Sequence, residues 1–140
     1  MKNATIIASF LWIGFLCAIS FMEAWLKFRA QGVTLPIGLS IGKIVFTALN
    51  KMEWFFAIII IAGLVAEKVS FLNWRNTSIA IPLLLLLLQT LWLLPILNER
   101  ATLQIQGQIV PVSNLHFFYV AMELIKVVSL FVFGIYLLSK

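Results

Sequence analysis

The sequence predicts an all-α protein, a four-helix bundle integral to a membrane, and three observations carry that prediction. Of the 140 residues, 63% are hydrophobic and only 11% charged, against roughly a quarter charged in an ordinary soluble domain. Four apolar stretches follow one another, three of them long enough unaided to cross a hydrocarbon core about 30 Å thick. Polar residues inside these stretches recur at helical spacing, and the alternation of a membrane barrel appears in none of them. A soluble chain this short has too little interior to hide so much apolar surface. In lipid, backbone groups must bond within their own segment, which makes each crossing a helix. The chain is read as one transmembrane domain, residues 1–140.

The first span covers about Ala4 to Leu26. It is too long for a signal peptide, and no small-residue cleavage site follows Phe15, so it is read as a retained helix. A linker from Lys27 to Gly42 follows, broken by Gly32, Pro36, Gly38 and Gly42. The second span is less clean. Trp54–Ala66 would reach only about 20 Å as a helix. To cross, it must begin near Ile44 and carry Asn50, Lys51 and Glu53 inward, giving a span of 44–66. The alternative is an interfacial helix over Ile41–Leu49 leading into a short crossing. A polar turn over Glu67–Asn76 closes the hairpin.

The third span, 77–97, holds six consecutive leucines, Leu83 to Leu88. Pro82 and Pro95 flank them. Between Ala101 and Asn114 the alternation from Leu103 to Ile109 reads as a small hairpin or extended surface segment. The fourth span is 115–138. An even number of crossings places both termini in one compartment. Basic residues divide evenly between the two sides, so the positive-inside rule gives no orientation.

The informative residues are the polar ones within spans. In span four, His116, Tyr119, Glu123 and Lys126 share about 80° of helical arc, and Glu123 and Lys126 are three apart, within pairing reach. Span one aligns Thr5, Ser9, Trp12, Ser20, Glu23 and Lys27. Span two aligns Thr47, Asn50 and Glu53, and span three Ser78, Pro82 and Gln89. The intramembrane candidates are therefore Glu123, Lys126, Glu53, Asn50, Lys51, Tyr119, His116, Gln89 and Glu23. Lys51, Glu53, Glu123 and Lys126 sum to zero charge and are read as a neutral mid-membrane set. Trp25 and Trp74 fit the interfacial aromatic belt, while Trp12 and Trp92 lie deeper and are read as packing residues.

Several classes are excluded or left without support. The net charge is +5, but the basic residues stand singly near span ends, where lipid headgroups explain them better than nucleic acid does. Cys17 is the lone cysteine, so no intramolecular disulfide forms. No Cys, His and carboxylate cluster has metal spacing, and no nucleophile motif or phosphate loop is present. No cofactor or metal is expected.

Two stretches carry a family likeness. One is Leu26-Lys27-Phe28-Arg29 followed by Gly38-Leu39-Ser40-Ile41-Gly42-Lys43-Ile44-Val45-Phe46. The other is Leu94-Pro95, a polar loop, and His116 opening the last helix with Glu123 two turns on. The pattern resembles a family of small four-helix bacterial membrane proteins of unknown function, related to the eukaryotic transmembrane protein implicated in platinum-drug resistance. The likeness covers most of the chain. It implies a four-helix protein of the bacterial inner membrane and no particular activity. The chain lacks the histidine such proteins often carry early in span one, which argues against a metal or cofactor role.

The leading expectation is a small polytopic membrane protein without catalytic chemistry, its polar interior serving assembly or the passage of a small solute or ion. Its partners would be the bilayer and either further copies of itself or a larger membrane complex. The alternatives are a membrane enzyme or cofactor-binding module acting on a lipid-soluble substrate such as a quinone, and an accessory subunit.

Overall fold

A computed structural model of the chain describes residues 1–68 and 77–139. Trp74, Arg75, Lys140 and most of the expected turn over Glu67–Asn76 lie outside the described residues. Four helices are long and apolar enough to cross a membrane: α1 (Lys2–Arg29), α2 (Leu35–Ala66), α3 (Ala80–Ile105) and α4 (Leu115–Leu138). No strand occurs among the described residues.

Two expectations about the connections are corrected. The linker expected over Lys27–Gly42 is mostly helix, with only residues 30–34 outside α1 and α2. Pro36 occupies the first turn of α2, where a missing N–H costs nothing because it would have no partner within the helix. Gly38 and Gly42 lie inside α2 and are buried. The helix is continuous over 32 residues, about 48 Å at 1.5 Å per residue. That supplies the length a second span needs, with no break between Ile41–Leu49 and the residues after it. At the same end of the bundle, α3 runs on through Leu103-Gln104-Ile105 and ends in a turn at Gln106-Gly107. The hairpin read from that alternation does not form: Leu103–Ile105 stay helical, with Thr102 tied to α2 through Lys43, while residues 108–113 are non-helical and mostly exposed, as the extended surface reading had it.

Neither α1 nor α3 is α-helical throughout. Cys17–Glu23 and Gln89–Leu93 are π-helical turns. The second lies directly before Pro95, whose ring would crowd the carbonyl of Leu91 in a regular α-helix. Widening the preceding turn relieves that contact.

The packing places α1 against α2 and α4, while α3 meets α4 along its first half and α2 along its second. Trp12, Leu16, Phe56, Ile60, Leu86, Leu130 and Phe133 form the apolar centre. The outer surface is apolar too: Ile58, Leu84, Leu91 and Val128 are each more than half exposed. Trp92 belongs to that outer surface, 49% exposed, and is not the packing residue its depth suggested.

The helices α1 and α2 are in close contact at Gly63, where an added Cβ would lie 2.0 Å from Thr5 Oγ1. Small residues permit such contact between membrane helices. Gly63→Ala is therefore expected to destabilise the protein by about 1–3 kcal/mol, the usual range for overpacking. Thr5→Ala in the same chain should restore most of the loss. Thermal unfolding in mild detergent of the two single variants and the double measures this, and a Gly63→Ala protein as stable as the parent would place the helices further apart.

Candidate functional site

Every helix sends polar side chains to one point near the bundle's midpoint. From α4, Lys126 and Glu123 stand one turn apart, and Lys126 Nζ lies 2.7 Å from Glu123 Oε1. From α2, Glu53 Oε2 accepts from the same ammonium. From α3, Gln89 accepts through Oε1 from Lys126 Nζ at 2.5 Å and donates through Nε2 to Glu123 Oε1 at 2.7 Å. From α1, Trp12 Nε1 donates to Glu53 Oε2 and Ser20 Oγ to Glu123 Oε2, both at 2.9 Å. Trp12, Glu53, Gln89, Glu123 and Lys126 are all fully buried, and Ser20 is nearly so.

Local sequence explains how the side chains arrive there. The Glu123–Lys126 spacing of three puts both on the buried face of α4, with Tyr119, Leu130 and Phe133. Gln89 and Ser20 both occupy the π-helical turns. An extra residue in a turn re-aims the side chains that follow it, and such turns gather at functional sites.

The ammonium is thus saturated, with three oxygens around it. The carboxylates are not equivalent. Both oxygens of Glu123 accept a hydrogen bond, whereas Glu53 Oε1 is buried without a partner. Two carboxylates face one ammonium, so the fully ionised cluster carries a net charge of −1.

This corrects the neutral set read from the sequence. Lys51 is exposed on the outer side of α2 and lines a shallow groove with Ser40, Ile44 and Thr47. Two residues along a helix is a turn of about 200°, so Lys51 and Glu53 cannot share a face. Among the described residues Lys126 is the one fully buried cation.

The other sequence candidates lie around the cluster rather than in it. Asn50 Nδ2 donates to Thr90 Oγ1 at 2.9 Å, as does Trp54 Nε1, forming a separate polar contact between α2 and α3. Glu23 lies at the end of α1, 3.4 Å from Lys27. Tyr119 packs its ring edge-on against Phe46 and receives a long contact from Gln89 Nε2 at its carbonyl, 3.5 Å away. Its hydroxyl is buried without a partner. His116 is exposed and lines a cavity of about 330 Å³, as Tyr119 does, where α1 ends, α2 begins, α3 ends and α4 begins. That cavity does not reach Glu53, Glu123 or Lys126.

The sequence did not single out Trp12 and Ser20 as partners of the buried charges, nor Thr90 as the partner of Asn50. For Trp12 and Ser20 a signal existed, since both share the polar face of α1. Thr90 gave none, because a threonine in an apolar helix ordinarily bonds back to its own backbone, as Thr90 also does to Leu86.

No family model, curated protein or solved structure matches this chain. The site's chemistry is therefore argued from its own residues. Among the described residues no group of three His, Cys, Asp or Glu side chains is placed to hold a metal ion.

Proposed function

We propose that this chain is a multi-pass membrane protein, crossing the bilayer four times, whose central cluster takes up and passes a small cation, a proton in the first instance. Four long apolar helices with an apolar exterior support the membrane assignment. The observation that carries the ionic role is the imbalance of two buried carboxylates against one buried ammonium, with Glu53 Oε1 left unpartnered. A device serving assembly alone is best built neutral, because each unpaired charge in a membrane interior costs several kcal/mol. One more positive charge balances this cluster, and a proton on a carboxyl is the smallest that fits a closed, fully packed site.

The hydrogen-bonded line Ser20–Glu123–Lys126–Glu53–Trp12 joins α1, α4 and α2. Buried titratable side chains linked in this way form the proton relays of membrane carriers. The same contacts hold the bundle together, at roughly 0.6–2 kcal/mol each, so assembly and ion passage draw on one set of residues.

The test is proton entry into proteoliposomes that trap a pH-sensitive dye, driven by an inward potential. The intact protein is expected to admit protons well above protein-free vesicles. Glu53→Gln, which removes the surplus carboxylate but leaves the Glu123–Lys126 pair, should lower that rate at least tenfold. Intact protein no faster than empty vesicles, or Glu53→Gln as fast as intact protein, would reduce the cluster to an assembly device.

A further inference from the structure

The cavity at the loop end of the bundle has a chemistry of its own. Lys27, Lys43, Arg100 and His116 line it, and no aspartate or glutamate does. Its remaining wall is largely apolar, with Phe28 and Phe46 among the lining residues. At about 330 Å³ it falls at the small end of the 300–1,000 Å³ typical of small-molecule sites.

Basic residues near the ends of membrane helices ordinarily reach outward to headgroups and water. Lys27 does not. Its side chain is only 9% exposed, and its single carboxylate neighbour, Glu23, is a loose 3.4 Å away. Two rings flank it, Phe28 and Phe46, each with its centroid 5.6 Å from Nζ. The glycines of α2 make that burial possible. A Cβ at Gly42 would come within 3.0 Å of Lys27 Nζ, and one at Gly38 within 2.0 Å of the Phe28 ring. The end of α1 is thus laid on a glycine face that turns an ammonium inward.

Lys43 and Arg100 add two further cationic groups. Lys43 Nζ donates to Thr102 Oγ1 at 2.7 Å, and Arg100 donates to the carbonyl of Pro111. Neither has a carboxylate partner among the described residues. At the cavity's inner wall stands Tyr119, 2% exposed. A half-open site with two cations lacking a carboxylate partner, a third only loosely paired, and largely apolar walls suits an anion attached to a hydrocarbon.

We propose that this cavity binds the anionic head of an amphiphile, a phosphate in particular, with the start of its apolar tail against Phe28 and Phe46. A guanidinium and two ammonium groups converging on one space match the several oxygens of a phosphate better than they match a single acceptor. The proposal does not depend on ion passage at the central cluster. The head can come from an anionic phospholipid of the bilayer or from a free phosphate ester, and the arms of the test separate these sources.

The protein, purified in an uncharged detergent, is titrated with phosphatidic acid, phosphatidylglycerol, phosphatidylcholine, a short-chain alkyl phosphate or inorganic phosphate. Binding is read by thermal shift and by native mass spectrometry. An anionic phospholipid is expected to raise the unfolding temperature by several degrees and to bind at least tenfold more tightly than phosphatidylcholine. Tight binding of the alkyl phosphate as well would mark a free ester as the source. Lys43→Gln with Arg100→Gln should weaken anionic-lipid binding at least tenfold, whereas the charge-keeping pair Lys43→Arg with Arg100→Lys should stay within about threefold of the parent. Equal binding of phosphatidylcholine, or neutralised and charge-keeping pairs that bind alike, overturns the proposal. Inorganic phosphate binding as tightly as the lipid overturns its apolar half.

Discussion

Lys126→Met is expected to lower the unfolding temperature in mild detergent by roughly 10–20 °C. The residue is fully buried and is the shared partner of Glu53 and Glu123. Taking it away leaves two carboxylates in a closed apolar bundle without a cation. Stranding one member of a buried pair costs about 3–5 kcal/mol, and each kcal/mol moves the midpoint of a chain this size by roughly 3–4 °C. Glu53→Gln should cost far less, about 1 kcal/mol, because the Glu123–Lys126 pair survives and the new amide oxygen can still accept from Trp12. The asymmetry is the diagnostic result. A neutral set completed by Lys51 would make the two losses similar. In the triple variant Lys126→Met, Glu53→Gln, Glu123→Gln no charge is left stranded, and at least half of the Lys126→Met loss should return. Equal losses for Lys126→Met and Glu53→Gln would mean that water or another cation already serves the cluster.

The parts of this site that were legible in the sequence are those set by one helix at a time. Glu123 and Lys126 are three apart in a long apolar run, so their pairing and their inward aim follow from the helical period alone. Glu53 and Gln89 were visible as polar residues at mid-depth in their own spans. Lys51 was misplaced by matching charge and depth while neglecting rotation: two residues from Glu53, it had to face the other way. What stayed hidden depends on where helices meet. Nothing in Lys27, Lys43 and Arg100 as letters distinguishes a cation enclosed in a cavity from one reaching a headgroup. The difference is made by the glycine face of α2, on which the end of α1 rests. The alternating segment from Leu103 to Ile109 misled for a related reason. Its period suggested an extended segment throughout, but up to Ile105 continuing the helix satisfies the backbone locally and brings Thr102 to Lys43, and only the residues after the Gln106-Gly107 turn are non-helical.

Gln89 offers the second large effect. Its amide accepts from Lys126 through Oε1 and donates to Glu123 through Nε2, at 2.5 and 2.7 Å. A carboxamide, with its acceptor oxygen and donor nitrogen held apart, serves an ammonium and a carboxylate at once, and asparagine at this position falls one methylene short of both. In Gln89→Leu each charged partner loses one hydrogen bond in a place water does not reach. Bonds to charged groups contribute about 1.5–3 kcal/mol apiece, so the combined loss is expected at roughly 3–6 kcal/mol, or a fall of about 10–20 °C. Gln89→Glu keeps the shape of the side chain but replaces the donor with a third carboxylate oxygen beside Glu123. It should be at least as damaging as leucine, although it is the more conservative change by size. Adding Glu123→Gln to Gln89→Glu supplies a donor to the new carboxylate and restores the original number of negative charges. That double variant should recover much of the loss, and the gain measures the coupling between α3 and α4 directly. A Gln89→Leu protein that unfolds within about 2 °C of the parent would show that the amide is not held between the two charges, and the network joining the four helices would then have to close by another route.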